Sequence, residues 1–134
     1  MQGKTILVVE DFDDIRDLIS VWLRGQGFRV LEAADGEEAV ESARRECPDL
    51  IIMDLSLPVL DGLTATQHIL EIEELCHVPI IACSAHGARE WCDRALLAGC
   101  AEYVTKPVDF DALGIVIHRH LSAPTSPARG LSGS

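Results

Sequence analysis

The stretch Leu50-Ile51-Ile52-Met53-Asp54-Leu55-Ser56-Leu57-Pro58 decides how the rest of the chain is read. Four apolar residues run straight into one carboxylate, and a proline follows shortly after. An unbroken apolar run of this length suits a strand covered on both faces, as in parallel sheets. Such a strand carries Asp54 to its C-terminal end. In open α/β sheets that end opens into the ligand crevice. The question is then what other segments bring to the same place.

Upstream, Thr5-Ile6-Leu7-Val8-Val9 is a second continuous apolar run, and it ends in Glu10-Asp11. Asp13 or Asp14 can cap the helix that follows. Its apolar positions Ile15, Leu18, Ile19, Trp22 and Leu23 follow the spacing of one buried stripe, and Gly25 and Gly27 end it. Phe28 to Leu31 reads as a shorter strand. Asp35-Gly36 is a turn, and Glu37 to Glu46 a helix with Ala39, Val40 and Ala43 inward. Downstream of the opening stretch, Asp61-Gly62 turns into a helix over Leu63 to Glu74, with Ile69 and Ile72 inward. Val78 to Cys83 is a strand ending at Ser84, and Ala88 to Ala98 a helix stopped by Gly99. Ala101 to Thr105 is a strand ending at Lys106-Pro107. Asp109 or Asp111 starts a last helix with Phe110, Leu113, Val116, Ile117 and Leu121 among its apolar positions. From Ser122 the composition turns to Ser, Pro, Gly and Ala, which reads as a disordered tail or linker over 122–134 after a domain over 1–121. Five strands alternating with five helices imply right-handed crossovers and a parallel sheet with helices on both faces, an α/β doubly wound (βα)₅ architecture.

Composition narrows the function classes. The 134 residues fit one domain, and 48% hydrophobic content allows a full core. A net charge of −11 argues against direct nucleic-acid binding, which usually shows a basic patch. The N-terminal apolar run is too short for a signal peptide or a membrane span. Five cysteines without a CxxC spacing argue against a disulfide framework and fit a reducing cytoplasm.

The polar residues at the strand ends are Glu10 and Asp11, Asp54, Ser84 and Lys106. In a parallel sheet these ends share one edge, so three carboxylates, a hydroxyl and an ammonium meet there. Clustered carboxylates repel and call for a cation. Oxygen ligands favour Mg²⁺, which binds through one or two carboxylates plus a phosphate. Asp is a known nucleophile toward phosphoryl groups. Lys106 can pair with phosphate as a point charge, and Ser84 can donate a hydrogen bond to it. A lone aspartate at a strand end is usually a cap or turn residue; the joint pattern carries the weight.

These stretches give the chain a resemblance, over Lys4 to Leu121, to the receiver domain of two-component response regulators. The matching segments are Val8-Val9-Glu10-Asp11, Asp35-Gly36-Glu37-Glu38-Ala39, Met53 to Pro58 with Asp61-Gly62, Ser84-Ala85, and Ala98-Gly99 through Tyr103-Val104-Thr105-Lys106-Pro107. The resemblance implies a flavodoxin-like sheet of order 2-1-3-4-5. It implies a signalling phosphoacceptor, not an enzyme acting on a metabolite, that catalyses its own phosphorylation and slow dephosphorylation. Asp54 is expected to take a phosphoryl group from the phosphohistidine of a histidine kinase or phosphotransfer protein. Asp11 is expected to ligate Mg²⁺, Glu10 to assist through water, and the Ser56 carbonyl to complete the ligands. Lys106 is expected to bind the phosphoryl group, with a cis peptide to Pro107. Ser84 and Tyr103 are the implied switch pair, reshaping the face made by the fourth helix, fifth strand and fifth helix. A monomer or a phosphorylation-dependent dimer, cytoplasmic and off the membrane, is implied; the output partner is not.

Some positions depart from the common pattern. Glu10 stands where Asp is also frequent. Phe12 follows the acidic pair where a polar residue is more usual, and is read as a shield for the site or a kinase contact. His86 is read as a residue near the hydrolytic water, with an exposed loop histidine as the equal alternative. His118-Arg119-His120 resembles a metal pair, but i, i+2 on a helix faces different ways, so a solvated helix end is expected. Cys76-His77 lacks partners, and Trp91 is left open between core and partner contact. A dehalogenase-type phosphatase would want a carboxylate where Ser56 stands, and a nucleotide-binding module would want a glycine-rich loop after the first strand. A degenerate receiver would lack the joint set Asp11, Asp54, Ser84 and Lys106.

Overall fold

The computed structural model describes residues 3–57, 60–85 and 89–122. Continuous apolar runs become central strands because only a strand with helices on both faces hides side chains that point both ways. β1 (Thr5–Val9), β3 (Leu50–Asp54) and β4 (Ile80–Ser84) are buried at every position. β2 (Arg29–Ala33) and β5 (Glu102–Thr105) are more exposed and form the edges. The sheet order is 2-1-3-4-5 and every pairing is parallel, as expected.

Helices α1 (Asp13–Gly25), α2 (Gly36–Glu46), α3 (Gly62–Leu70), α4 (Arg89–Ala98) and α5 (Phe110–Ser122) follow the strands in turn. Alternation of side chains along each strand sorts the core into two layers. Leu7, Val9, Ile51, Met53 and Ile80 pack with Ala39, Ala43, Ala65, Ile69 and Ala95 of α2, α3 and α4. Ile6, Val8, Leu50, Ile52 and Ile81 pack with Ile19, Leu23, Leu113 and Ile117 of α1 and α5. Each fully buried Leu or Ile contributes about 1.5–3 kcal/mol, so these two layers dominate the stability.

The elements differ from the sequence reading in several places. α1 buries Ile19 and Leu23, but Leu18 is 59% exposed. The buried face is centred on Ile19, Ser20 and Leu23, so Leu18 falls off its edge. Its N-cap is Phe12, with no side-chain cap, rather than Asp13 or Asp14, which occupy the first turn. α3 stops at Leu70, and a 3-10 turn at Glu73–Leu75 follows. That break lets Leu75 bury to 1% exposure. β2 runs to Ala33 rather than Leu31, and β4 starts at Ile80 rather than Val78. Asp109, not Asp111, caps α5: its Oδ1 accepts from the Asp111 and Ala112 N–H groups at 3.0 and 3.3 Å. α5 ends at Ser122, one residue into the stretch read as tail; the remaining tail, Pro58 and His86 lie outside the described residues.

Register brings the strand ends level. Val9 pairs with Ala33 and with Met53, Asp54 with Cys83, and Ser84 with Thr105. The residues just beyond β1, β3, β4 and β5 therefore share one rim of the sheet.

Candidate phosphoacceptor site

β1 ends at Val9, and Glu10 continues it by donating its N–H to the Ala33 carbonyl at 3.0 Å. Glu10 is 2% exposed and Asp54 3%, while Asp11 is half-buried. One carboxylate oxygen from each of Glu10, Asp11 and Asp54 lies within 4.8 Å of the others. Among the described residues this is the one such group of three or more His, Cys, Asp or Glu side chains.

Lys106 reaches this cluster from the end of β5. Its Nζ is 2.6 Å from Glu10 Oε1 and 3.5 Å from Asp54 Oδ2. The Lys106 N–H donates to the Ser84 carbonyl at 2.8 Å, which holds the β5 exit against β4. The Lys106–Pro107 peptide is cis, as the resemblance implies. Asp54 is oriented from behind: the Ser56 N–H donates to its Oδ1 at 3.1 Å. Gly62, the first residue of α3, passes so close to the Asp54 carbonyl and the Leu55 Cα that a Cβ there would overlap both.

Burial pushes the Glu10 carboxyl above its ordinary value; the Lys106 hydrogen bond pulls it down and the nearby Asp54 charge pushes it up again. Burial works against the Lys106 ammonium. The hydrogen bond to Glu10 and the charges of Asp54 and Glu10 outweigh it, and the Lys106 pKa is raised. Beneath the rim, burial drives the Cys83 thiol up to about 12, which makes it inert.

Ser84 is fully buried at the end of β4, paired with Thr105 of β5. Tyr103 is half-buried on β5 and packs against the α2–α4 core layer. Phe12 is 63% exposed on the acidic turn, and its N–H donates to Glu10 Oε2 at 3.2 Å. Trp91 packs partly against the core while Arg94 stacks 4.7 Å from its ring centroid. Arg119 and His120 both bind Glu102 Oε2, at 2.7 and 3.1 Å, so the basic helix end is paired rather than merely solvated. Cys47 and Cys76 are exposed, Cys83 and Cys100 buried, and all five thiols are free.

Two contacts escaped the sequence reading. Lys106 rests on Glu10 more closely than on Asp54. Arg16, which no motif singled out, turns inward and its Nη1 donates to the Glu10 carbonyl at 2.8 Å. An arginine closing the first turn of the helix that follows an acidic strand end was the available signal.

Known proteins are similar to this chain in sequence and fold. The family model described as "Response regulator receiver domain" matches residues 6–118. The polar-differentiation response regulator DivK of Brucella ovis is 34% identical over 105 residues, 78% of this chain and 85% of that protein. The receiver domain of sensor histidine kinase PA1611 from Pseudomonas aeruginosa, solved with a magnesium ion coordinated in its active-site cleft, is 40% identical. Its TM-score is 0.85, over 90% of this chain and 99% of that one. The beryllofluoride-activated receiver domain of RstA from Klebsiella pneumoniae is 26% identical with a TM-score of 0.83, over 90% of this chain and all of that one. With its fold, its acidic rim and these relatives in agreement, the chain belongs to the response regulator receiver domain family.

Proposed function

We propose that Asp54 is the phosphoacceptor of this receiver domain and that Glu10, Asp11, Asp54 and the Ser56 carbonyl hold Mg²⁺ during transfer. The observation that carries this is the gathering of three carboxylates within 4.8 Å, with the Lys106 ammonium 3.5 Å from Asp54. The donor set suits a hard cation: it is all oxygen, and two of its three carboxylates are buried. Mg²⁺ held by these residues would supply positive charge that offsets the negative charge of the transfer.

The chain's own residues do the rest. Asp54 attacks the phosphorus of a phosphohistidine on a histidine kinase or phosphotransfer protein; the P–N bond breaks, an O–P bond forms, and the imidazole leaves. The Ser56 N–H fixes the rotation of the carboxylate at Oδ1. Lys106, raised in pKa and so protonated, exchanges its contact with Glu10 for the phosphoryl oxygens. The Ser84 hydroxyl follows toward the new charge of about −1.5 to −2, and Tyr103 turns inward to reshape the α4–β5–α5 face for an output partner. Hydrolysis of the acyl phosphate by the same site resets the switch. The cysteines, all unpaired in disulfides, fit a reducing cytoplasm. Among the described residues no helix is long and apolar enough to cross a membrane.

The test is intact-mass spectrometry after incubation with acetyl phosphate and Mg²⁺. The wild-type chain should gain one phosphoryl group and Asp54→Asn none. Undiminished labelling of Asp54→Asn would remove Asp54 from this role.

A further inference from the structure

We infer that Arg16 is a positioning residue, clamping the peptide between Glu10 and Asp11 so that both carboxylates face the cation site. The inference rests on the metal site proposed above. Arg16 is the fourth residue of α1 and closes its first turn, with its side chain 15% exposed. Its guanidinium is held by three acceptors on three segments. Nη1 donates to the Glu10 carbonyl at 2.8 Å, Nη2 to Asp13 Oδ1 at 2.6 Å and Nε to Glu32 Oε1 of β2 at 3.3 Å. The Glu10 carbonyl belongs to the peptide that joins Glu10 to Asp11. Fixing it sets the plane in which Asp11 leaves the sheet. The Glu10 N–H is fixed in turn by the Ala33 carbonyl at 3.0 Å. Both backbone groups of Glu10 are thus anchored on the β2 side, while its carboxylate points to Lys106 and the Phe12 N–H. A planar fork with several donors can make all three contacts at once, and a lysine cannot.

Two simpler roles predict different outcomes. If Arg16 only braced the seam between α1 and β2, its loss would lower the melting temperature and leave metal affinity alone. If it acted only as a nearby positive charge, its removal would tighten the binding of a dication. A positioning role predicts weaker binding, as for outer-shell partners of metal ligands, whose loss costs about 10–100-fold in affinity.

The experiment is calorimetric titration of the folded chain with Mg²⁺ alone, alongside circular dichroism and melting curves. Arg16→Met should weaken Mg²⁺ about tenfold. Arg16→Lys, which keeps one donor within reach of the carbonyl, should lose less. Arg24→Met, which removes the other partner of Glu32 at 3.3 Å, should leave affinity unchanged. Folded Arg16→Met that binds Mg²⁺ as tightly as wild type, or more tightly, overturns the inference. If Arg16→Met does not fold, Arg16→Lys decides, since it keeps the positive charge but not the fork: weaker binding supports the clamp and unchanged binding overturns it. Wild-type protein that binds no Mg²⁺ overturns the metal site itself, and the clamp with it.

Discussion

Gly62 shows how a single missing carbon shapes the site. It opens α3 directly behind Asp54, where a Cβ would overlap the Asp54 carbonyl and the Leu55 Cα. Its N–H donates to the Leu55 carbonyl at 3.3 Å, so the chain there cannot back away without losing a hydrogen bond. Gly62→Ala should therefore destabilise the fold by about 1–3 kcal/mol, the usual cost of forcing extra volume into a packed site. It should also slow phosphorylation by acetyl phosphate beyond what its melting temperature explains. A chemical melt and a labelling time course check both; equal rates would place the strain elsewhere. At this scale the sequence was legible where side-chain type and strand position coincide. Asp54, Glu10, Asp11 and Lys106 could be named from the runs that precede them. That Lys106 rests on Glu10 could not, because the pair is 96 residues apart and either carboxylate offered the same charge. Arg16 was missed for a related reason: a helical arginine surrounded by acids is ordinarily solvated, and only the fold shows a backbone carbonyl within its reach.

At the level of elements, caps and breaks decide where each helix meets the rim. Asp61 caps α3, with Oδ1 accepting from the Thr64 N–H at 2.9 Å and Oδ2 from the Thr64 hydroxyl at 3.0 Å. The Thr64 backbone hydrogen bond holds the Asp61 carboxyl below its ordinary 3.8. A lowered folded-state pKa gives stability that is present above 3.8 and is lost as pH falls through the folded value. Asp61→Ala should cost about 1 kcal/mol near neutrality. The gap from wild type should narrow in denaturation curves taken well below 3.8. A gap that stayed constant with pH would show that the charge of Asp61 contributes nothing. The sequence marked this turn through Asp61-Gly62, yet it ran the helix on to Glu74. Ile72 fits the helical spacing, so periodicity gave no reason to stop. The chain stops because Leu75 reaches the core only through the 3-10 turn, with its N–H bonded to the Ile72 carbonyl at 2.8 Å. Leu18 failed in the opposite sense: its spacing is right, but the helix presents Ile19 and Leu23 to the sheet.

Across the whole molecule, stability and function compete at one rim. Two apolar layers hold the sheet, while Glu10 and Asp54 are buried beside each other at its edge. Like charges so placed oppose folding, and the single Lys106 ammonium offsets only part of the charge of three carboxylates. Mg²⁺ should therefore raise the melting temperature, with a stabilisation of about 2.7 kcal/mol at a hundredfold excess over its dissociation constant. The same series on Asp54→Asn should show a smaller rise, since one of the three carboxylates is gone. An equal rise in both proteins would point to cation binding away from this rim. The fold class and strand order were legible because five buried runs alternate with amphipathic segments, and few chain paths satisfy that pattern. The level alignment of the strand ends was legible only in outline, since register depends on pairings such as Asp54 with Cys83 that no single run displays.

The alternation along β3 also limits how this protein can change length. Suppose one residue were deleted between Leu50 and Met53. Keeping the inside-out pattern would leave the carboxylate short of the rim by about 3.3 Å, one strand step. Keeping the carboxylate at the rim would make every earlier side chain trade one helix layer for the other. The strand thus behaves like a reading frame, and additions or losses of single residues are tolerable only in the loops on the far side of the sheet.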